Sequence, residues 1–228
     1  MYAKGKSREW KQYYLRLEDS RRFALISGSW IGRIKMLNLA IFGSGSGSNY
    51  QAIAEAIAAG RLNARIVCVI SDVKDAFILE RARKLGHPAI YLDCAPFKTK
   101  LDGEAEQRAI ELIKQHGGDF IALAGFMRIV KPGLLTAFAG RIINIHPSLL
   151  PNFPGLEAGR QALEAGVKET GCTVHFVDGG IDSGPVIVQR KVSVLPGDTV
   201  ETLMNRIHAQ EHIAYPEALQ KIAAGLVR

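Results

Sequence analysis

From residue 37 onward, short apolar runs alternate with segments of helical periodicity, and this alternation constrains the fold more than any other feature of the chain. Residues 37–42 form a buried-strand run that ends in Gly43-Ser44-Gly45-Ser46-Gly47-Ser48-Asn49. Ala52, Ile53, Ala56 and Ile57 then share one face of a helix closed by Gly60. Residues 66–70, 89–92, 120–124 and 142–145 read as further strands. Residues 75–85, 102–116 (capped by Asp102) and 132–139 read as helices, with 161–165 belonging to another. This rhythm predicts an α/β fold, a mostly parallel sheet with helices on both faces. After Gly171, two strand-like runs (172–177 and 186–194) flank a glycine-rich turn, and an amphipathic helix begins near Thr199 with Val200, Leu203, Met204 and Ile207 on its apolar face.

The chain has 228 residues, 47% hydrophobic and 22% charged, which suits one sizeable core without disulfides or metals to hold it. Its formal charge of +7 is unevenly spread. Residues 1–35 carry nine of the 29 Lys and Arg but three of the 22 acids, so +6 of the +7 belongs to this stretch. That argues against a uniformly basic nucleic-acid surface. Residues 1–35 read as a basic N-terminal extension, poorly ordered or dispensable, with Met36 an alternative start, and 36–228 as a single domain. Three scattered cysteines without C-x-x-C spacing suit a reducing compartment. With no long apolar run and no usable signal peptide, the expectation is a cytoplasmic protein without membrane or nucleic-acid partners.

Three constellations can carry chemistry. The glycine loop leads from a strand into a helix N-terminus, where free N–H groups and the helix dipole attract an anion. It fails both the dinucleotide G-x-G-x-x-G and the P-loop patterns, leaving a hydroxyl-rich loop suited to a single phosphate. Asn144 and His146 lie two apart on a strand and share a face, at the strand end where open parallel sheets bind ligands. An amide donor beside an imidazole suits acyl transfer, the amide holding an oxyanion and the ring moving protons. Asp182, among glycines, can orient His146 or simply form a turn. His175, on the preceding strand, is open in the same way, since most such histidines are simply satisfied within the core. Glu211 continues an apolar helical stripe, so it is either paired or functional. His208-Ala209-Gln210-Glu211-His212 matches a zinc-protease pattern, but only 16 residues follow and no further ligand is in sight, so zinc is rejected.

The loop Ser44-Gly45-Ser46-Gly47-Ser48-Asn49, the segment Ala124-Gly125-Phe126-Met127-Arg128-Ile129-Val130, Asn144-Ile145-His146-Pro147-Ser148 and Asp182-Ser183-Gly184-Pro185 occur in that order. Together they resemble the folate-dependent formyltransferases, and among them the phosphoribosylglycinamide formyltransferase (glycinamide ribonucleotide transformylase) family of purine biosynthesis, over residues 36–226. The resemblance implies a Rossmann-like formyltransferase fold and a single catalytic domain over 36–228. The implied reaction is transfer of formyl from 10-formyltetrahydrofolate to the amine of glycinamide ribonucleotide by direct attack, without a covalent enzyme intermediate or a metal. Gly47, Ser48 and Asn49 would cradle the 5′-phosphate and Glu211 the glycinamide end. Lys100, Met127, Arg128, Ile129, Val130 and Asn144 would line the folate site. Asn144 and protonated His146 would stabilise the oxyanion, with Asp182 setting the charge of His146 and relaying a proton through water. Small molecules are the expected partners of a monomer or homodimer. Two departures stand out: Glu157, Ala158 and Gly159 occupy positions where relatives carry histidines, and Lys100 stands where relatives carry a folate-contacting Arg. The rival reading, hydrolysis of the same folate by water, expects an N-terminal regulatory domain of about 80 residues, longer than residues 1–35.

Overall fold

The computed structural model describes residues 36–227; the basic extension 1–35 and Arg228 lie outside the described residues. Nine strands and six helices follow in chain order: β1 (Leu37–Phe42), α1 (Ser48–Ala58), β2 (Ala64–Ser71), α2 (Phe77–Lys84), β3 (Ala89–Tyr91), β4 (Lys100–Leu101), α3 (Gly103–Gln115), β5 (Phe120–Leu123), β6 (Ile129–Val130), α4 (Pro132–Ala137), β7 (Ile142–His146), α5 (Ala158–Glu164), β8 (Glu169–Phe176), β9 (Val186–Ser193) and α6 (Val200–Ala223). Seven strands form one sheet in the order β3-β2-β1-β5-β7-β8-β9, and β4 pairs with β6 apart from it.

The expected α/β class is what the chain adopts. β3, β2, β1, β5 and β7 run parallel, and β8 and β9 complete the sheet antiparallel. Alternate residues of each strand feed two cores. Leu39, Ile41, Ile143 and Ile145 pack under α1, α2 and α6. Phe42, Ile70, Ile121 and Ile142 pack under α3 and α4. The strand order runs outward from β1 in one direction and from β5 in the other, so the crevice between their carboxyl ends is where such a sheet accepts ligands. Among the described residues no helix is long and apolar enough to cross a membrane.

Several boundaries differ from the sequence reading. The helix placed at 161–165 begins at Ala158, where Gly159 lies so close to Met204 that a Cβ would come within 2.7 Å of its sulfur. The strand placed at 172–177 is Glu169–Phe176. The helix placed at 132–139 stops at Ala137. β4 and β6, two residues each, are too short to leave a periodic signal.

The long α6 is fastened to the sheet by one buried hydroxyl. Tyr215 is fully buried, and its Oη donates to the Leu123 carbonyl at 2.9 Å, with the Ile143 carbonyl at 3.3 Å. At the other end of the helix, Thr199 and Thr202 form a reciprocal cap. Tyr215→Phe removes the donor and leaves strand carbonyls buried, so it should lower stability by about 1–2 kcal/mol. Urea unfolding checks this: the midpoint falls with helix content retained, whereas an unchanged midpoint contradicts the fastening role.

Candidate active site

The glycine-rich loop is built for close approach. Gly43 sits where a Cβ would meet the Ala124 carbonyl oxygen at 2.9 Å and Ile78 Cδ1 at 2.6 Å. Gly47 has φ 73°, and a Cβ there would strike Ile78 at 2.7 Å. Gly47 is the N-cap of α1 and offers no capping side chain, so the first-turn amides face outward with the positive end of the helix dipole. A cleft of about 290 Å³ opens beside it, with Ser48, Arg61, Arg81 and His212 in its walls alongside one carboxylate, Glu55. Arg81 Nε donates to the Ser46 carbonyl at 2.9 Å, which brings a cation to the loop. These features fit an anion at Gly47, Ser48 and Asn49.

Asn49 itself is turned inward. Its Nδ2 donates to Glu211 Oε2 at 2.8 Å, both residues are buried, and Asn49 Oδ1 is buried without a partner. Two residues 162 positions apart in sequence thus share one contact. The pairing accounts for a carboxylate in the apolar stripe of α6: Glu211 is buried and paired. His208 and His212 flank it on the helix. Among the described residues no group of three or more His, Cys, Asp and Glu could hold a metal ion.

On β7, Ile142, Asn144 and His146 share a face, with Ile143 and Ile145 packed into the opposite core. Ile142 packs into the core that holds Leu134 and Leu135 of α4, and Asn144 and His146 follow it toward the strand's carboxyl end. His146 is 4% exposed. Its Nδ1 lies 3.2 Å from Asp182 Oδ2, and its Nε2 lies 2.8 Å from the Phe153 carbonyl oxygen. Both neighbours only accept, so the hydrogen bonding is complete when both ring nitrogens carry protons. Asp182 also accepts from the Gly155 amide at 2.9 Å, which ties the proline-rich loop to the β8–β9 turn.

His175, left open by the sequence, belongs to this cluster. It is buried, yet its Nε2 lies 3.6 Å from Asp182 Oδ1 and 3.5 Å from Asn144 Nδ2. Its Nδ1 faces the Phe176 carbonyl at 2.8 Å and therefore carries a proton. A histidine alternating with apolar residues on a strand gives no local sign of its partners, and the antiparallel register Asn144↔His175 supplies them. Burial pushes the Asp182 carboxyl up, but the nearby His175 imidazole, the hydrogen bond from the Gly155 amide and the His146 imidazole outweigh it and hold the group below its ordinary value.

The backbone around this cluster is strained. Phe153, Glu157 and Asp182 are the non-glycine residues with positive φ among those described, at 53°, 59° and 48°. All three lie in the two loops joined by the Gly155–Asp182 hydrogen bond. Each such residue costs on the order of 1–2 kcal/mol, a cost these loops bear where geometry must be held.

The folate candidates form a separate wall. Met127 and Ile129 are 63% and 51% exposed, an apolar surface suited to a flat ring. Lys100 stands opposite Ile129 in the β4–β6 pair. Its Nζ sits 4.1 Å from the Phe97 ring centre and 2.7 Å from Asp102 Oδ2, so its charge is already shared. Arg128 is different: its side chain turns away, with Nε donating to Asp72 Oδ2 at 2.6 Å and Nη1 to the Phe97 carbonyl. A larger hollow of about 850 Å³ along α3 is lined by Asp93, Asp102, Glu104, Glu106 and Glu111 against the single cation Arg108, a balance unsuited to phosphate, and includes none of the candidate residues.

Comparison with known proteins places this arrangement. A family profile described as Formyl transferase matches residues 37–219, and the chain belongs to that family. Among its relatives is the phosphoribosylglycinamide formyltransferase of Bacillus subtilis (strain 168), 41% identical over 82% of this chain and 95% of that protein. The trifunctional purine biosynthetic protein adenosine-3 of Drosophila pseudoobscura pseudoobscura is 48% identical over 83% of this chain. The chain spans 14% of the length of that relative. The crystal structure of glycinamide ribonucleotide transformylase 1 from Symbiobacterium toebii superposes with a TM-score of 0.80 at 51% identity, covering 83% of this chain and 89% of that one.

The lowered Asp182 value sets a pH dependence. A depressed folded-state value contributes stability that is present above the unfolded value of about 3.9 and is lost as pH falls through the folded value. Wild type should therefore exceed Asp182→Asn in urea midpoint near neutrality, with the gap narrowing below about pH 4. A gap that stays constant down to about pH 3 would contradict the charge role.

Proposed function

We propose that residues 36–228 form one catalytic domain that transfers the formyl group of 10-formyltetrahydrofolate to the amine of glycinamide ribonucleotide in purine biosynthesis. The observation that carries this reading is His146 held 3.2 Å from Asp182 beside Asn144, at the sheet edge shared with an uncapped anion-binding helix terminus. The match to a transformylase over 83% of this chain and 89% of that one supports the same substrates. In this reading the protein acts on small molecules in the cytoplasm as a monomer or homodimer.

Gly47, Ser48 and Asn49 take the 5′-phosphate, and Glu211 takes donors of the glycinamide ribonucleotide. Lys100 and the segment from Met127 through Arg128 and Ile129 to Val130 hold the folate, with Asn144 at its formyl end. The substrate nitrogen attacks the formyl carbon, forming a C–N bond and a tetrahedral oxyanion. Asn144 Nδ2–H and His146 Nε2–H stabilise that charge, the oxyanion taking the place of the Phe153 carbonyl as acceptor. Collapse breaks the bond to folate N10, and the proton lost by the attacking amine passes through water to N10. His146 and Asp182 assist that transfer, and tetrahydrofolate and the formamide leave. No step in this scheme calls for a metal.

Release of the deformylated folate, followed by absorbance, tests the reading. Turnover should require the ribonucleotide. Equal turnover in its absence would reassign the chemistry to hydrolysis, with water as acceptor. Glu211→Ala should raise KM for the ribonucleotide about tenfold, equivalent to ~1.4 kcal/mol, with little change for the folate. Equal increases for both substrates would remove Glu211 from the ribonucleotide site.

A further inference from the structure

A polar network outside the reacting groups spans the crevice between β1 and β5. Ser44, in the glycine-rich loop after β1, donates its hydroxyl to Asp72 Oδ1 at 2.6 Å. Ser44 Oγ accepts from the Met127 amide at 2.9 Å, and the Ser44 amide donates to the Gly125 carbonyl at 2.9 Å. Asp72, just past β2, accepts Arg128 Nε on its other oxygen at 2.6 Å. Arg128 then reaches the Phe97 carbonyl in the segment that leads into β4. The Asp72 and Arg128 side chains are 7% and 13% exposed, so this is a nearly buried ion pair with each charge satisfied.

Four chain segments thus meet on two side chains: the loop after β1, the end of β2, the segment before β4 and the segment after β5. The first carries the candidate phosphate groups Gly47, Ser48 and Asn49. The last carries the candidate folate wall. The Ser44 hydroxyl is engaged by Asp72 and the Met127 amide, and Arg128 spends its Nε on Asp72 and its Nη1 on the Phe97 carbonyl.

We infer that Ser44 and Asp72 are positioning residues that hold the ribonucleotide loop and the folate wall at a fixed separation, and so set the approach of the amine to the formyl carbon. The inference rests on the two-substrate reading above. Its physical basis is that a displacement of about 1 Å between reacting partners can cost on the order of 100-fold in rate. Each loop keeps its own ligand groups if the bridge is cut, so the loss falls on the encounter rather than on either binding step.

Ser44→Ala removes both bonds of the Ser44 hydroxyl and leaves the Ser44 amide–Gly125 carbonyl bond and the Asp72–Arg128 pair in place; Ser44→Thr restores a hydroxyl. Equilibrium binding of each substrate alone, thermal unfolding and kcat with both substrates are measured for the three proteins. The expected result is a kcat for Ser44→Ala lower by about 10- to 100-fold. Separate dissociation constants should change less than about threefold, the unfolding midpoint should stay close to wild type, and Ser44→Thr should recover much of the rate. A kcat within twofold of wild type overturns the inference. A kcat loss matched by weaker binding of both substrates, or by unfolding, shows a structural role and also overturns it. Wild type that turns over folate equally without the ribonucleotide overturns the two-substrate reading, and the inference with it.

Discussion

The carboxylate of Asp182 reaches partners from three stretches of chain: His146 at the end of β7, His175 on β8 and the Gly155 amide in the proline-rich loop. Burial alone would favour its neutral form, yet these partners keep it charged. Removing it would leave two buried imidazoles and a loop amide without their common acceptor. The positive-φ geometry of Phe153, Glu157 and Asp182 depends on the same junction, since the two loops that carry the strain are joined there. Much of the site's organisation therefore follows from one anion placed among donors.

The sheet supplies the other half of the arrangement. The reversal of strand order between β1 and β5 opens a crevice, and the loops leaving those two strands carry the candidate phosphate and folate groups. β7 lies next in the sheet and brings Asn144 and His146 to the same edge. The two antiparallel strands β8 and β9 then return the chain so that their connecting turn presents Asp182 to His146. The candidate anion loop, the Asn144–His146 pair and the exposed apolar wall thus follow strands that end at one edge of the sheet although they are far apart in sequence.

What could be read from the sequence is what local periodicity encodes. The parallel core strands and the long helices declare themselves through apolar spacing, and Asn144 with His146 is visible because strand residues two apart share a face. Glu211 stands out as a carboxylate in an apolar stripe, but nothing local reveals that Asn49 is its partner. His175 looks like any polar residue on a buried strand until the register sets it opposite Asn144. Ser44, Asp72 and Arg128 are residue types common on surfaces, and only the folded chain joins them. Arg128 is the instructive case: the resemblance places it at the folate wall, and the structure commits its side chain to Asp72. Resemblance transfers positions along the chain, whereas the direction of a side chain depends on neighbours that a motif does not contain.

The central claim is that Asp182 acts on the reaction through His146. A double-mutant cycle in kcat with His146→Ala, Asp182→Ala and the combined variant tests it most directly. If the two act as a unit, each single change lowers turnover by about 10²–10⁴-fold and the double variant is no worse than the poorer single one. If the losses multiply, the two residues act independently, and an account built on their 3.2 Å contact is contradicted.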